Sequence, residues 1–266
     1  MSRNALAYEW ARLRTLRSTW WIAAVSVAVT AVVTWGYASV AVGVGDIGIT
    51  VGPAEAVVMV IGKSSFAPLA AGLIGVLAVG TEYRHRTLRT TVLVTPDRTA
   101  AITAKAVTVA AFAIAIGIAN LAVSWAVGAA VLAGRIDLGA SAGLLAGFHA
   151  AYLLQAAGWA LIGLALTVAT RSQIIGLLAI VLVPNVIEPL FGSIGMLAGQ
   201  DWLARIGAYL PFSAGQAMTD IAGSTSAALL ADGETRADPL IAGLVFAATV
   251  AGLAVYAVND FRRQDL

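Results

Sequence analysis

The sequence predicts an all-α polytopic membrane protein, and three observations carry that reading. First, 60% of the residues are hydrophobic and only 11% charged, where an ordinary soluble domain carries about 25% charged residues. Second, the apolar residues fall in long blocks, most near or above the roughly 18 to 20 residues that cross about 30 Å of hydrocarbon. Third, no water reaches the backbone amides of such blocks in a bilayer, so they must close their hydrogen bonds internally, as helices. Cysteine is absent, which excludes a disulfide frame and a thiolate metal site and leaves the redox compartment unread. A formal charge of +2 gives no ground for a nucleic-acid partner, and its distribution says more than its total.

The chain opens on "ALAYEWARLRTLRSTWW". Leu6, Trp10, Leu13 and Leu16 recur at helical spacing with arginines on the remaining face, which predicts an amphipathic interfacial helix over residues 1–19. Tyr8, Trp10, Arg14, Arg17 and Trp20 are its expected anchors at headgroup depth. The same residues also read as a flank that only fixes orientation. The apolar run that follows, about 22 residues, is too long for a secretory signal and is expected to stay as a helix.

Six spans are expected: Trp20–Val44, Ser65–Gly80, Ala100–Leu132, Gly143–Ala169, Ile174–Leu197 and Leu240–Val258. An even number puts both termini on one side. If that side is the cytoplasm, the inner segments hold twelve of the sixteen basic residues, among them Arg12, Arg14, Arg17, Arg84, Arg86, Arg89, Lys105 and Arg262. The outer segments keep four, with eight acidic residues. The positive-inside rule selects this orientation. Arginine outnumbers lysine fourteen to two and alanine is abundant, a composition of GC-rich bacterial genomes. A bacterial cell membrane is therefore the expected location.

Between the second and third spans lies "GTEYRHRTLRTTVLVTPDRTAAITAK". Thr95, Pro96 and Asp97 supply an N-cap hydroxyl, a proline at the first helical position and an acid in the first turn, so the third helix is expected to start there. From Pro96 to Leu132 a helix would run about 55 Å, so its first turns must project beyond the hydrocarbon. Residues 81–95 precede it, and a short helix is expected from Glu82 to Thr91.

This order of parts resembles the transmembrane subunits of ABC-2 type exporters. The resemblance covers essentially the whole chain, read as a single domain, 1–266. It is most specific in "EWARLRTLRSTWW" and in Glu82–Pro96, which follows the family's E-Y-R-x-x-T-L/I-R-x-T-x-x-x-T-P segment. The resemblance implies a cytoplasmic coupling helix that docks on a separate ATPase dimer through Glu82, Tyr83, Arg84, Arg86, Thr87, Leu88 and Arg89. It also implies a second permease subunit, identical or a sister chain, with ATP and magnesium held on the partner ATPase and no cofactor in this chain. Export of an amphiphilic or hydrophobic cargo, such as a drug, an antibiotic peptide or a lipid, and with it a role in resistance, follow as expectations. Membrane lipid is the remaining partner.

The chain carries no ATPase of its own. "IGKSS" ends like a phosphate-binding loop, but the glycine that such a loop needs five residues before Gly62 is Val57. H-E-x-x-H does not occur and no catalytic residue is expected, nor is a metal site expected at His149 or Glu188, which lack a second ligand at i+3 or i+4.

In the fifth span, "VPNVIEPLFG" places Asn185 and Glu188 between Pro184 and Pro189, which are expected to interrupt the helix. A carboxylate at that depth suggests function, while a helix-end residue reaching external water is the plainer alternative. Residues 193–225 are too apolar for a loop and too rich in glycine and proline to span, and they read as short re-entrant helices with Pro211 and Phe212 at a turn. Asn120 and His149, with Asn185, Glu188, Pro211 and Phe212, are candidates to line a path or gate. For Asn120, Ser124 and His149, hydrogen bonding between helices is the commoner role. "GLLAG" and "GIAN" offer small faces for close helix packing. The competing functional reading is an ion- or proton-coupled secondary transporter using Glu188 and His149. It calls for a second embedded acid and an inverted repeat.

Overall fold

A computed structural model describes residues 3–46, 57, 60–61, 66–87, 97–132, 142–219 and 237–263. Among them there is no strand. The helices are α1 Arg3–Thr15, α2 Arg17–Asp46, α3 Ala67–His85, α4 Arg98–Leu132, α5 Ala142–Thr170, α6 Gln173–Leu182, α7 Glu188–Leu197, α8 Asp201–Ala208, α9 Pro211–Ala217 and α10 Pro239–Arg263. A π-helical turn, Val183–Ile187, joins α6 to α7.

Among the described residues, five segments are long and apolar enough to cross a membrane: Arg17–Gly43, Arg98–Leu132, Leu145–Thr170, Gln173–Gly195 and Pro239–Arg263. The expected span at Ser65–Gly80 falls in α3, which is outside that set. Its last turns, Thr81–His85, carry Glu82, Arg84 and His85 and dilute a short apolar stretch. Yet α3 is the most enclosed helix of the bundle. It packs chiefly on α5, and the reason is its glycines. A Cβ on Gly75 would sit 2.0 Å from the Ala160 carbonyl oxygen, and one on Gly163 would sit 2.3 Å from the carbonyl of Gly72. Backbones this close leave room for hydrogen only, the small-residue packing that membrane helices use in place of a hydrophobic drive. Of the two small faces expected from the sequence, Gly117 in "GIAN" does meet Leu153 of α5, while Gly147 in "GLLAG" faces nothing within 4 Å.

Two helix starts and stops differ from expectation. Helix α3 does not end at Gly80 to let a new helix begin at Glu82. It runs on to His85, where Arg86 takes a left-handed conformation (φ 56°). The Thr87 amide then donates to the Glu82 carbonyl at 3.0 Å, a Schellman-type cap. Helix α4 is capped by Asp97, whose Oδ1 accepts from the amides of Thr99 (2.9 Å) and Ala100 (3.2 Å), so the acid expected in the first turn is itself the cap. Thr95 and Pro96 lie outside the described residues.

The fifth span is widened rather than broken. Pro184 sits inside the π-helical turn, where a five-residue reach accommodates its missing N–H, and Asn185 Nδ2 donates to the Val181 carbonyl at 2.8 Å. Beyond it α7 and α8 form a hairpin around Gly199 (φ 62°), with Gly195 against the Ala204 backbone. Helix α9 turns inward and buries Phe212 and Ala214 against α5 and α10. At the opposite end of the bundle, Arg98 donates to the Arg262 carbonyl at 3.3 Å and Arg171 lies 3.7 Å from Asp260. The start of α4, the α5–α6 turn and the end of α10 therefore meet at one end.

Candidate functional site

Among the described residues, the most unusual chemistry is a cluster of four charges on three helices, three of them buried and the fourth, Arg12, partly so. Helix α1 brings Glu9 and Arg12, one turn apart on the same face. Helix α3 brings Glu82 from its last turn, and α4 brings Lys105 from its second. Relative exposure is 2% for Glu9, 3% for Glu82 and 0% for Lys105. The ammonium of Lys105 donates to Glu9 Oε1 at 2.8 Å, to Glu82 Oε1 at 2.7 Å and to the Ala78 carbonyl at 3.4 Å. Arg12 Nε donates to Glu9 Oε2 at 3.1 Å, and its guanidinium also donates to Glu82 and to the Ala78 carbonyl.

Two acids and two bases make the cluster neutral, which is why it can be buried at all. It is also specific. Removing one member strands a desolvated charge, whereas the pairs themselves add little net stability. The apolar surroundings, with Leu13, Ala78, Val79, Ile102 and Phe261, keep water from competing for these bonds. Such a clasp can hold the end of α3 and the start of α4 rigidly against the helix that leads into α2.

Of the residues expected to touch an ATPase, Glu82 is turned inward into this cluster and Tyr83 packs against the core, while Arg84, Arg86 and Thr87 are exposed. Leu88 and Arg89 lie outside the described residues, as does the "GKSS" stretch. Among the expected anchors, Tyr8, Trp10, Arg14, Arg17 and Trp20 are all exposed. Trp10 also packs in a tilted contact on Phe112 of α4 at 4.6 Å between ring centroids, and Trp20 Nε1 donates to the Arg14 carbonyl at 2.8 Å across the α1–α2 junction.

Glu9, Arg12 and Lys105 are not among the site residues expected from the sequence. A signal was present. Glu9 is the only acid before Asp46, and Lys105 is one of only two lysines, set in the apolar stretch "AAITAKAVTV". A lone ionisable group on an apolar face calls for a partner of opposite sign, and these two needed each other.

The candidate path residues divide differently. Asn120 is buried and acts as a fastener between α2 and α4: its Oδ1 accepts from Ser26 Oγ at 3.1 Å and from Thr30 Oγ1 at 2.5 Å, and Thr34 and Ser124 hydroxyls meet at 3.3 Å one turn further on. His149 Nε2 accepts from Trp125 Nε1 at 3.0 Å, joining α5 to α4. Glu188 is 3% exposed. Its Oε1 accepts from the Phe212 amide at 3.0 Å, and its Oε2 accepts from the Ser213 amide at 2.5 Å and hydroxyl at 2.8 Å. The carboxylate thereby caps α9 from a helix 24 residues earlier in the chain. Phe212 packs edge-on against Trp159 at 4.6 Å, Pro211 is half-buried and Asn185 is exposed. Their hydrogen bonds are made at separate helix contacts, Asn120 between α2 and α4, His149 between α4 and α5, and Glu188 between α7 and α9. Comparison with family models, curated proteins and solved structures finds no match to the chain.

Proposed function

We propose that the chain is the permease subunit of an ABC-2 type exporter, working with a separate ATPase dimer and a second permease subunit, and releasing an amphiphilic or hydrophobic cargo. The observation that carries this reading is the buried Glu9–Arg12–Glu82–Lys105 clasp. An ATP-driven machine whose ATPase is a separate protein must pass a cytoplasmic movement into its spans, and it needs a rigid joint where the push arrives. In this reading six helices cross the bilayer: α2, α3, α4, α5, α6–α7 and α10. Both termini face the cytoplasm, α1 lies in the inner interface, and α8 and α9 fold back at the outer end. The exposed Arg84, Arg86 and Thr87 are the surface on which the ATPase presses, and Glu82, just inside, passes the movement through Lys105 to α4 and through Arg12 to α1.

The ion-coupled alternative receives less support. Glu188 is fully engaged in capping α9 and His149 is engaged with Trp125. A coupling site needs groups that can bind and release an ion. The test is purification in mild detergent from the native host, followed by reconstitution. An ATPase that co-purifies, and cargo efflux that needs it and ATP, is the expected result. Efflux by this chain alone, driven by an ion gradient, would sink the reading.

A further inference from the structure

A slot of about 390 Å³ opens between α2 and α3. Its wall is entirely apolar: Trp21, Val25 and Val29 from α2 face Leu69, Ala70 and Leu73 from α3. The one hydroxyl on its rim, Ser26 Oγ, is turned away to donate to Asn120. The slot is within the range of volumes that hold small ligands, and its wall can recognise only an apolar group, such as a hydrocarbon chain. What lies beyond its end narrows the occupant further. Arg17, Trp21, Val25 and Val29 are spaced four residues apart and so form one stripe along α2. Reading up that stripe gives a cation, then an indole, then the apolar slot. Trp21 is 69% exposed and Trp20 56%, as befits aromatic residues at a headgroup boundary. Arg17 is exposed and forms no ion pair among the described residues.

We propose that this slot is a binding site for an anionic phospholipid, one acyl chain lying between α2 and α3 and the phosphate at Arg17. A second copy of the chain fits less well. A two-fold axis along the membrane normal, placed on this face, would bring the two Arg17 side chains together with nothing to neutralise them. The inference needs only that the chain sits in a bilayer. It stands or falls separately from the exporter reading, because lipid retention is measured without an ATPase.

The test uses the full chain reconstituted in vesicles of equal phosphatidylglycerol and phosphatidylcholine, extracted gently, with the retained lipids counted by native mass spectrometry. Wild-type protein should keep phosphatidylglycerol about fivefold over phosphatidylcholine, the effect of one basic side chain at a membrane surface. Arg17→Gln should abolish the preference. Val25→Trp, at a position 56% exposed and so safe for folding, should fill the slot and lower retention of both lipids. Equal retention of the two lipids by wild-type protein would overturn the proposal, as would unchanged retention in both variants. A Val25→Trp variant that loses subunits but keeps its lipid would overturn it too, by showing that the face belongs to a second copy.

Discussion

Lys105 concentrates the residue-scale energetics. Its ammonium is fully buried and depends on Glu9 and Glu82 for its charge balance. Lys105→Met leaves two buried carboxylates facing Arg12 alone, and unfolding in detergent should show a loss of about 3–5 kcal/mol. Glu82→Gln should lose a similar amount. The double variant should lose clearly less than the sum, since the charges removed are each other's partners, and the difference should exceed about 1 kcal/mol in a double-mutant cycle. Additive losses would mean that the cluster does not act as a unit. Glu188 offers a second test at this scale. An amide in its place can accept from Phe212 or from Ser213 but must turn a donor toward the other, so Glu188→Gln should cost about 1–3 kcal/mol in the same assay.

At the scale of elements, the bundle turns on the crossing of α3 and α5. Gly75→Val would drive a side chain into the Ala160 carbonyl, and an apolar gain cannot offset a displaced helix; a destabilisation of about 3 kcal/mol or more is expected. Gly147→Ala, in the same kind of sequence but with open space around it, should stabilise by about 0.5–1 kcal/mol through helix propensity. Thermal unfolding of the two variants side by side separates packing from propensity. These two glycines also show how far the sequence could be read. Helices and their lengths follow from local hydrophobicity and hydrogen bonding, so the long apolar blocks were legible. Which glycine is a contact and which is idle depends on the neighbour, and the chain does not print it. Boundaries failed for a related reason: nothing local breaks the helix between Gly80 and Glu82, and the burial of Glu82 against Lys105 carries α3 on to His85. The proline pair in "VPNVIEPLFG" looks like a break in the sequence because a π-helical turn, which absorbs the missing N–H, leaves no mark distinct from a kink.

For the whole molecule, the proposed arrangement makes a prediction that this cysteine-free chain is well suited to test. Single cysteines at Ser172 or Arg263 should react with a membrane-impermeant thiol reagent only from the inner face. One at Gly199 should react only from outside. Reactivity of Gly199 and Arg263 from the same side would refute the six-span topology. The gathering of the α4 start, the α5–α6 turn and the α10 end at one pole of the bundle is the geometry on which this expectation rests.

The sequence by itself determined the solvent, the helical class, the approximate blocks and the asymmetry of charge, because each is a property of a stretch of chain and the bilayer it must satisfy. It also pointed to the segment around Glu82. Only the tertiary structure decided what Glu82 touches. Its partners Arg12 and Lys105 lie 70 and 23 residues away, and Glu9 and Lys105, which complete the clasp, lie 96 residues apart. Helical periodicity gives the face on which a charge stands, but the opposing face is supplied by packing. In the low dielectric of a packed interior, that pairing is what permits Glu9, Glu82 and Lys105 to be buried at all.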